Sequence, residues 1–554
     1  MKLNQRSRGE YNDNKFLGAL IVLFILYFVL YFYGLGSTGL TDVDEPRYAE
    51  AGREMLESGN WVVPYFNYVV RYDKPIFFYW LEALSMKAFG VNELAARLPS
   101  AITAIISAGF VFYFVRAFYG VVCGLMSALV LMSCFEFAGL ARFSVTDMTL
   151  SCFIISSIIS FFLGYNQLST SHSSFDQQIK VFSNWYLSGF LFLGLAVLTK
   201  GPVAILLVGM VLVPFFWWIR KLSYFLKNYS FWIGFCIFIF LVMPWYLIVH
   251  MATEGDFTAT FLGLHNFSRY TSTVSGHKGS LFYFIPVVLI GFLPWTFFLP
   301  GIFMFLLKKG LGSLLVSIKE EIPWLCLWWF LVVFLFFSVS KTKLLTYILS
   351  LFPALSILVA IWFDSILVKV TNNKGFMIGL GLFFVFCLIM VGVCLFDLSA
   401  ILPREVKSIK LDFQIICLIF LMFVGVSMAW ASSHKDESMS IVILLSTFLL
   451  FYFCLVAIVM PKIDKHAQSK LRIFARSIPP DVEISTYQII KPSLTFYSKR
   501  KIEKYDSLTK IQEKLDQPAK FAFVTKKKLL ENASLNNVYL WGKDDRYVFY
   551  KNYN

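Results

Sequence analysis

The chain has 554 residues, of which 58% are hydrophobic and 15% are charged, and its formal net charge is +15. Apolar runs of about 20 residues recur from end to end, which is the length that a hydrocarbon core of about 30 Å requires. This composition excludes an ordinary soluble globular protein and predicts a polytopic α-helical membrane protein.

Thirteen apolar runs are long enough to be interpreted as membrane spans. They cover residues 16–36, 98–117, 119–139, 149–165, 186–199, 202–219, 230–250, 281–307, 323–340, 344–363, 376–396, 413–432 and 440–460. The first run follows a basic leader, but it is longer than a signal-peptide core and lacks a small-residue cleavage site, which favours an uncleaved span. Lys and Arg near the span ends place the N-terminus in the cytoplasm and, with an odd number of spans, the C-terminus outside.

Two regions interrupt the apolar background. The loop 37–97 contains nine acidic and six basic residues in short amphipathic stretches, which predict interfacial helices. Residues 461–554 contain 19 Lys and Arg against 10 Asp and Glu, with short β-like runs around a polar helical segment. We therefore predict a transmembrane domain over 1–460, which includes the loop 37–97, and an α/β domain on the outer side of the membrane over 461–554. The basic surface suits an anionic membrane or a phosphorylated glycolipid, and an ordinary solvated surface explains it equally well.

Polar motifs emerge on one side of the predicted membrane, at the outer ends of the spans, and we expect them to line one cavity. The five motifs are Asp42–Tyr48, Arg142–Asp147, Thr199–Pro202, His265–Tyr270 and Ser340–Lys343. A carboxylate at the edge of a bilayer is energetically expensive and marks either a functional site or a charge pair. Asp44 and Asp147 are therefore the catalytic candidates, and the alternative is that Asp44 pairs with Arg47 and Asp147 with Arg142.

Several cations accompany these carboxylates. Arg and Lys bind phosphate oxygens through charge-assisted hydrogen bonds, although any single lysine can instead be a snorkelling anchor. The phosphate-binding candidates are Arg47, Lys74, Lys200, Arg269, Lys341 and Lys343. Carboxylates and phosphate-binding cations in one membrane cavity suit a substrate with a lipid tail and a phosphorylated head.

An ordered series of motifs resembles the aminoarabinose lipid A transferases, the undecaprenyl phosphate-aminoarabinose arabinosyltransferase family related to protein O-mannosyltransferases. The series runs over about residues 40–360 and consists of Thr41-Asp-Val-Asp-Glu-Pro-Arg-Tyr-Ala-Glu, Gly59-Asn-Trp-Val-Val-Pro, Tyr72-Asp-Lys-Pro, Gly90-Val-Asn-Glu-Leu-Ala-Ala-Arg-Leu-Pro-Ser, Ala141-Arg-Phe-Ser-Val-Thr-Asp, Leu198-Thr-Lys-Gly-Pro, Gly291-Phe-Leu-Pro-Trp and Ser338-Val-Ser-Lys-Thr-Lys-Leu-Leu-Thr-Tyr. The resemblance implies a glycosyltransferase-C fold with about 13 transmembrane helices and a small C-terminal α/β domain.

The resemblance also implies roles for individual residues. Asp44 and Asp147 take the places of the catalytic acidic residues of the first two outer loops. The residues matched to substrate binding are Arg47, Tyr48, Lys74, Lys200, Arg269 and Tyr347, and we add the charged residues Glu45, Lys341 and Lys343 as further substrate-binding candidates. A divalent metal between Asp73 and His265 is a further implication, with a hydrogen-bonding role for the histidine as the alternative. Asp73 departs from the family pattern, in which Glu is common at this position.

The expected activity is transfer of a sugar from an undecaprenyl phosphate carrier to a lipid A phosphate, at the periplasmic face of the bacterial inner membrane. The resemblance favours an amino sugar such as 4-amino-4-deoxy-L-arabinose or galactosamine. A related enzyme that glycosylates protein or another surface glycan is the first alternative. A lipid transporter is the second, because intramembrane charges also mark transport paths, and a membrane scaffold is the third. Membrane lipids, the sugar carrier and lipid A are the expected partners, and nucleic acid is not.

Overall fold

The computed structural model describes residues 14–169, 182–268, 279–310, 312, 317–395, 410–434, 436–467, 469–530, 535–544 and 546–553. Most of these residues are helical, and one five-stranded sheet lies near the C-terminus. The predicted site residue Arg269 lies outside the described residues.

The N-terminal part of the chain, as far as residue 268, is built from helices and one short hairpin. In order, these elements are α1 (Asn14–Phe32), α2 (Asp44–Ser58), β1 (Tyr65–Phe66), β2 (Val69–Val70), α3 (Phe77–Phe89), α4 (Glu93–Tyr119), α5 (Val121–Ser133), α6 (Phe135–Leu140), α7 (Thr146–Ser169), α8 (Asn184–Lys200), α9 (Val203–Trp218), α10 (Leu222–Lys227), α11 (Tyr229–Ala252), α12 (Asp256–Thr260) and a π-helix (Phe261–Ser268).

The remaining part adds further apolar helices and then the sheet. In order, its elements are α13 (Phe284–Gly291), a 3-10 helix (Trp295–Phe298), α14 (Leu299–Lys309), α15 (Ile318–Val339), a 3-10 helix (Leu345–Leu351), α16 (Phe352–Leu367), α17 (Lys374–Leu395), α18 (Lys410–His434), α19 (Glu437–Cys454), a π-helix (Leu455–Val459), α20 (Met460–Ala467), α21 (Ser469–Ser477), β3 (Glu483–Tyr487), α22 (Pro492–Ser498), β4 (Glu503–Tyr505), α23 (Leu508–Leu515), β5 (Phe521–Lys526), a 3-10 helix (Lys527–Leu529), β6 (Tyr539–Lys543) and β7 (Tyr547–Lys551).

Polar side chains begin several of the long apolar helices. The Asn92 side chain accepts a hydrogen bond from the Ala95 amide at the start of α4, and Asp436 accepts from the Ser438 amide at the start of α19. The first amides of a helix have no partner within the helix, so such caps stabilise its beginning. Gly59 ends α2 in the left-handed conformation, with φ of 67°.

All thirteen predicted apolar runs fall on helices, yet fewer helices are long enough to cross a membrane unbroken. In the described part of the chain, eight helices pass by length and composition, or nine if the bent pair 284–291 and 295–309 counts as one span. The bend of 103° in that pair, and the break of the run 119–139 at Cys134, separate apolar runs into shorter helices. The structure therefore confirms a multi-pass helical protein, and the count of thirteen spans stays a prediction.

The first outer loop packs against the C-terminal unit, residues 469–551. The Leu40 amide donates to the Tyr497 hydroxyl at 2.8 Å, and the Asn67 side chain exchanges two hydrogen bonds with the backbone of Ile502. Both regions therefore lie on the same side of the membrane helices. Helix α2, which is part of the first outer loop, is largely buried by other parts of the protein. Its charge pattern had predicted a helix at the membrane interface. Part of its charge is paired within the helix, as in Arg53 with Glu50 at 2.7 Å.

The C-terminal sheet has the strand order β4-β3-β5-β7-β6. Strand β3 pairs in parallel with β4 and β5, whereas β7 pairs antiparallel with β5 and β6. Buried residues such as Ile484, Val524 and Phe549 pack with Phe474 of α21. The small α/β form expected from the β-like runs is confirmed, and the domain boundary at residue 460 stays a prediction.

Candidate active site

A cavity of about 520 Å³ lies where the outer ends of several helices meet. Asp147 is the second residue of α7, Lys200 is the last of α8, and Tyr347 lies in the 3-10 helix before α16. The polar part of the lining consists of Lys74, Asp147, Ser151, Lys200, His265, Ser340, Thr346, Tyr347 and Ser350. The cavity therefore gathers side chains from most of the predicted outer motifs.

The remainder of the cavity wall is apolar. Leu206, Leu207 and Met210 of α9 contribute, together with Phe261 and Phe336. Cationic and carboxylate groups thus face one end of a space whose other walls are aliphatic and aromatic. This arrangement fits a ligand with a charged head and a hydrocarbon chain.

Asp147 and Lys200 form an ion pair inside this cavity. The Lys200 Nζ lies 2.5 Å from the Asp147 Oδ1, and the two side chains are 14% and 12% exposed. The Lys200 ammonium also lies 5.0 Å from the centroid of the Tyr347 ring, within cation–π range. The pair holds one positive and one negative group together at the head of the cavity.

The alternative partner predicted for Asp147 is wrong. Arg142 instead donates to backbone carbonyls at the end of α1, to Leu30 at 2.9 Å and to Tyr33 at 2.7 Å. These carbonyls have no partner within their own helix, so a guanidinium satisfies them well. Arg142 therefore anchors α1, and Asp147 faces the cavity.

Lys74 contributes a second cation to the polar end of the cavity. It is 6% exposed, and its Nζ donates to the carbonyl of Asp73 at 3.0 Å. The Asp73 carboxylate contacts two nitrogen groups. Its Oδ2 is 3.3 Å from Arg71 Nη2, and its Oδ1 is 3.3 Å from His265 Nε2. The predicted pair of Asp73 and His265 therefore exists as a direct contact.

This contact does not by itself make a metal site. A structural or catalytic zinc ion is held by at least three protein ligands in most such sites. Across the described residues there is no group of three or more His, Cys, Asp and Glu side chains that could hold a metal ion. The Arg71 guanidinium, which touches the same carboxylate, competes with a cation there. The described residues therefore do not form a zinc-type site here, whereas Mg²⁺ needs only one or two carboxylates together with substrate phosphates, so the divalent metal stays a prediction.

Arg71 is a functional candidate that the sequence reasoning missed. Its guanidinium is 7% exposed, stacks 4.8 Å from the Tyr48 ring centroid, and donates to the Arg47 carbonyl at 2.7 Å. The sequence feature that could have indicated Arg71 as a site residue is its position directly before the Tyr72-Asp-Lys-Pro motif. The ring, the carbonyl and Asp73 are partners of this buried guanidinium, while its Nε has no hydrogen-bond partner among the described residues.

Tyr48 connects the first-loop helix to this site electrostatically. Burial raises the pKa of the Tyr48 phenol, the Arg71 guanidinium lowers it, and the carboxylates of Asp44, Asp147 and Asp73 raise it further. A single phenol therefore lies within electrostatic reach of all three carboxylates. Asp44 itself does not line the cavity, and its catalytic role stays a prediction.

Asp44 is the exposed first residue of α2. In the described part of the chain it forms no ion pair with Arg47, so the alternative pairing predicted from the sequence is absent there. The Arg47 side chain is partly exposed. A negative charge near a helix N-terminus interacts favourably with the helix dipole. Asp44 is thus available to a substrate.

Glu45 was predicted to bind substrate, but its carboxylate binds other groups of the protein. Its carboxylate is 1% exposed and forms a two-point ion pair with Arg97, at 2.8 and 2.9 Å. It also accepts hydrogen bonds from the amides of Thr41 and Ser144, both at 2.8 Å. Because all its acceptor positions are used, Glu45 ties the first two outer loops together and does not face the cavity.

The Lys343 side chain also binds within the protein, to backbone carbonyls. Its ammonium group donates to the carbonyls of Ser338 at 2.7 Å and Ser340 at 2.8 Å, at the end of α15. A cation at a helix C-terminus satisfies carbonyls that have no partner within the helix. Lys341 is exposed and does not line the cavity.

Glu82 is a second residue that the sequence reasoning missed. It is fully buried in α3 and accepts a hydrogen bond from the Ser144 hydroxyl. Burial raises the pKa of the Glu82 carboxyl well above its ordinary value. Ser144 therefore connects Glu82 with Glu45 and fixes the loop that leads to Asp147.

Comparison with known proteins places the chain in a family. The family described as dolichyl-phosphate-mannose-protein mannosyltransferase matches residues 17–259. An undecaprenyl phosphate-α-4-amino-4-deoxy-L-arabinose arabinosyl transferase from Shewanella sediminis is 31% identical over 399 residues, which cover 72% of this chain and 69% of that protein. The chain belongs to this arabinosyl transferase family. The protein of the same name from Aeromonas hydrophila is 31% identical over 387 residues, 68% of this chain and 66% of that protein.

Solved structures show the fold of the arabinosyl transferase family. The structure of ArnT from Cupriavidus metallidurans bound to undecaprenyl phosphate aligns with a TM-score of 0.82 at 21% sequence identity. The alignment covers 97% of this chain and 98% of the ArnT chain. Its apo state has a TM-score of 0.81. The glycosyltransferase-C fold expected from the motifs is confirmed. As an arabinosyl transferase family member the chain is a membrane glycosyltransferase. The alternatives of a lipid transporter and of a membrane scaffold are therefore not supported.

Proposed function

We propose that the chain transfers 4-amino-4-deoxy-L-arabinose from undecaprenyl phosphate to a phosphate of lipid A, at the periplasmic face of the bacterial inner membrane. The observation that carries the proposal is the cavity in which Lys74, Lys200, Asp147 and His265 face one end of an otherwise apolar space. The names of the family relatives supply the sugar and its carrier, and the cavity has the charge distribution that such a carrier requires.

In this proposal the phosphate of the carrier binds at the charged end of the cavity, and its prenyl chain lies along the apolar walls. Its phosphate lies near Lys74 and Lys200, which bind phosphate oxygens as point charges. Its first prenyl units lie along Leu206, Met210 and Phe336, where apolar contact replaces contact with lipid chains. The salt bridge between Lys200 and Asp147 keeps the lysine in place before the carrier enters.

The reaction is a displacement at the anomeric carbon of the sugar. The bond from this carbon to the carrier phosphate oxygen breaks, and the leaving undecaprenyl phosphate keeps the electron pair. An oxygen of the acceptor forms the new bond from the opposite face. The lysines stabilise the negative charge of the leaving phosphate, and the Asp44 and Asp147 carboxylates stabilise the positive charge that develops on the sugar.

The acceptor decides whether a base is needed. A lipid A phosphate is already anionic and attacks without giving up a proton, so no strong general base is required. The basic C-terminal unit, which packs on the first outer loop, supports an anionic acceptor near Asp44. In this case Asp44 acts through its charge.

A protein hydroxyl is the second candidate acceptor, favoured by the match to the protein mannosyltransferase family over residues 17–259. A Ser or Thr hydroxyl must lose its proton as it attacks, and Asp44 would then accept that proton. The two proposals therefore give Asp44 different chemical roles at the same position.

The test is transfer by the purified full chain in lipid nanodiscs. The donor is undecaprenyl phosphate-linked 4-amino-4-deoxy-L-arabinose, and the acceptors, offered in separate reactions, are lipid A and a Ser/Thr-rich peptide. Mass spectrometry of each product is expected to show one added pentosamine on lipid A, with none on the peptide. Asp147→Asn serves as the inactive control. A pentosamine found on the peptide alone would establish the second candidate, and consumption of donor with neither product would contradict both.

A further inference from the structure

A second large cavity lies at the opposite end of the helices that form the active site. Its volume is about 720 Å³. Near its start, helix α15 lines this cavity with Lys319 and Glu320, and about 18 residues later, near its end, it lines the active-site cavity with Phe337. At a rise of 1.5 Å per residue the two cavities are about 30 Å apart, which is the thickness of the hydrocarbon core.

The orientation predicted from the sequence puts this cavity on the cytoplasmic side. Lys308 and Lys309, whose loop was placed in the cytoplasm by the distribution of basic residues, both line it. The cavity is therefore not an extension of the outer active site and takes no part in the transfer reaction.

The charged part of the lining is predominantly positive. Four lysines, Lys308, Lys309, Lys319 and Lys374, face two carboxylates, Glu320 and Asp364. Lys309 is paired with Glu320, and these side chains are 15% and 17% exposed. Among the described residues Lys308, Lys319 and Lys374 form no ion pair, and the Lys319 ammonium lies 4.5 Å from the centroid of the Tyr119 ring. The ammonium groups of Lys308 and Lys374 thus remain to bind an anion.

The floor of the cavity is formed by close packing of three helices. The Trp362 indole of α16 lies between Gly301 of α14 and Gly375 of α17. A Cβ atom at Gly301 would lie 2.6 Å from the indole, and one at Gly375 would lie 3.1 Å from it. The two glycines therefore let α14 and α17 approach the ring, while the lysines at the ends of these helices surround the space above it.

The rim of the cavity is apolar and faces outward. Met304 of α14 is 56% exposed, Val370 after α16 is 53% exposed, and Ile378 of α17 is 59% exposed. Apolar side chains at this depth of a membrane helix lie against acyl chains. The cavity thus has a cationic interior and a hydrocarbon-facing entrance, which a soluble anion would not need.

We propose that this cavity binds the phosphate headgroup of an anionic phospholipid from the inner leaflet. The headgroup phosphate contacts Lys308 and Lys374, and the acyl chains leave over Met304 and Ile378. Basic pockets between transmembrane helices on the cytoplasmic side bind anionic headgroups, with a contribution of about 1 kcal/mol from each Lys or Arg. The bound lipid holds the inner ends of α14, α15 and α17 together.

The experiment measures lipid retention by the full chain rather than transfer. Protein purified in detergent is analysed by native mass spectrometry after addition of phosphatidylglycerol or phosphatidylcholine. Wild type is expected to retain about one phosphatidylglycerol more tightly than any phosphatidylcholine. The double variant Lys308→Gln/Lys374→Gln removes both cations and is expected to weaken this binding on the order of 30-fold. The matched control is Lys221→Gln/Lys227→Gln, which removes two lysines from another loop on the same side.

Two results would overturn the proposal. One is an equal loss of phosphatidylglycerol in both double variants, which would mean that the lysines act only through general surface charge. The other is displacement of the retained lipid by millimolar inorganic phosphate, which would identify a soluble phosphate site instead. Because neither readout uses the sugar carrier, failure here leaves the proposed transfer reaction untouched.

Discussion

The carboxylate of Asp42 accepts two hydrogen bonds from Ser493, one from its amide at 2.9 Å and one from its hydroxyl at 2.6 Å. Asp42 lies in the first outer loop, and Ser493 lies at the start of α22 in the C-terminal unit. Lys491 adds an ion pair to the same carboxylate at 3.5 Å. Since Asp44 follows two residues later, the C-terminal unit fixes the loop that presents the proposed catalytic carboxylate.

Asp42→Ala removes both acceptors and is expected to loosen the C-terminal unit. Loss of a capping carboxylate costs about 1–2 kcal/mol, so the interface should open more often without unfolding the membrane helices. Limited proteolysis should cut the 461–554 region faster, and transfer should fall. Ser493→Ala keeps the amide donor and should have a smaller effect on both. Wild-type protease resistance together with wild-type transfer would contradict this coupling.

Asp44→Asn is expected to lower transfer by roughly 10²–10³-fold, because a charge positioned for the transition state is lost. The substitution leaves the apolar helices unchanged, so membrane insertion and thermal stability should stay near wild type. The rate is measured with purified enzyme and carrier-linked sugar, and Glu57→Gln, at the other end of the same helix, is the control. Near wild-type transfer by the Asp44 variant would exclude the proposed role.

Lys200→Met leaves Asp147 buried without its partner. The expected result is a higher KM for the carrier and a lower kcat, because the cavity loses a phosphate-binding cation and keeps an uncompensated carboxylate. The double variant Lys200→Met/Asp147→Asn separates these two causes, since it removes both charges. If the double variant regains stability but not carrier affinity, Lys200 binds the phosphate. An unchanged KM in the single variant would count against that contact.

Glu45 and Arg97 are expected to act on stability rather than on substrate binding. Breaking a buried ion pair by removing one partner costs about 3–5 kcal/mol, so Glu45→Gln and Arg97→Gln should each lower the melting temperature and the yield. The fraction that folds should keep the wild-type KM for the carrier, because neither side chain lines the cavity. A raised KM at unchanged stability would instead restore the substrate-binding role predicted for Glu45.

Stability should fall as the pH rises toward 8 because of Glu54. Burial, and next the charge of Glu50, raise the pKa of Glu54 to about 8. An unfolded Glu titrates near pH 4.3, so between roughly pH 4 and pH 8 the folded chain holds a proton that the unfolded chain has lost, and the free energy of unfolding decreases. Glu54→Gln imitates the protonated form and should raise the melting temperature at pH 8 more than at pH 5. Parallel pH profiles for wild type and variant would show that Glu54 does not titrate in this way.

The amino-acid sequence by itself determined the class of the protein and indicated its family. Long apolar runs can be stable only as membrane helices, and the order of the outer motifs was sufficient to indicate the family. The strands β3, β5, β6 and β7 were also visible, because their apolar side chains alternate or form short runs. Strand β4, Glu503–Tyr505, was not, because it is short and charged and exists only through its pairing with β3.

The partners of the charged side chains were decided by tertiary structure alone. Asp147 pairs with Lys200, 53 residues away, rather than with the nearby Arg142. Glu45 pairs with Arg97, and Lys343 binds the end of its own helix, although both carry the charges that a phosphate or sugar site would need. A sequence shows which residues are charged, but the energy of a charge depends on the groups that surround it after folding. Those groups come from distant helices, so only the packed structure separates the side chains that face the cavity from those that hold it together.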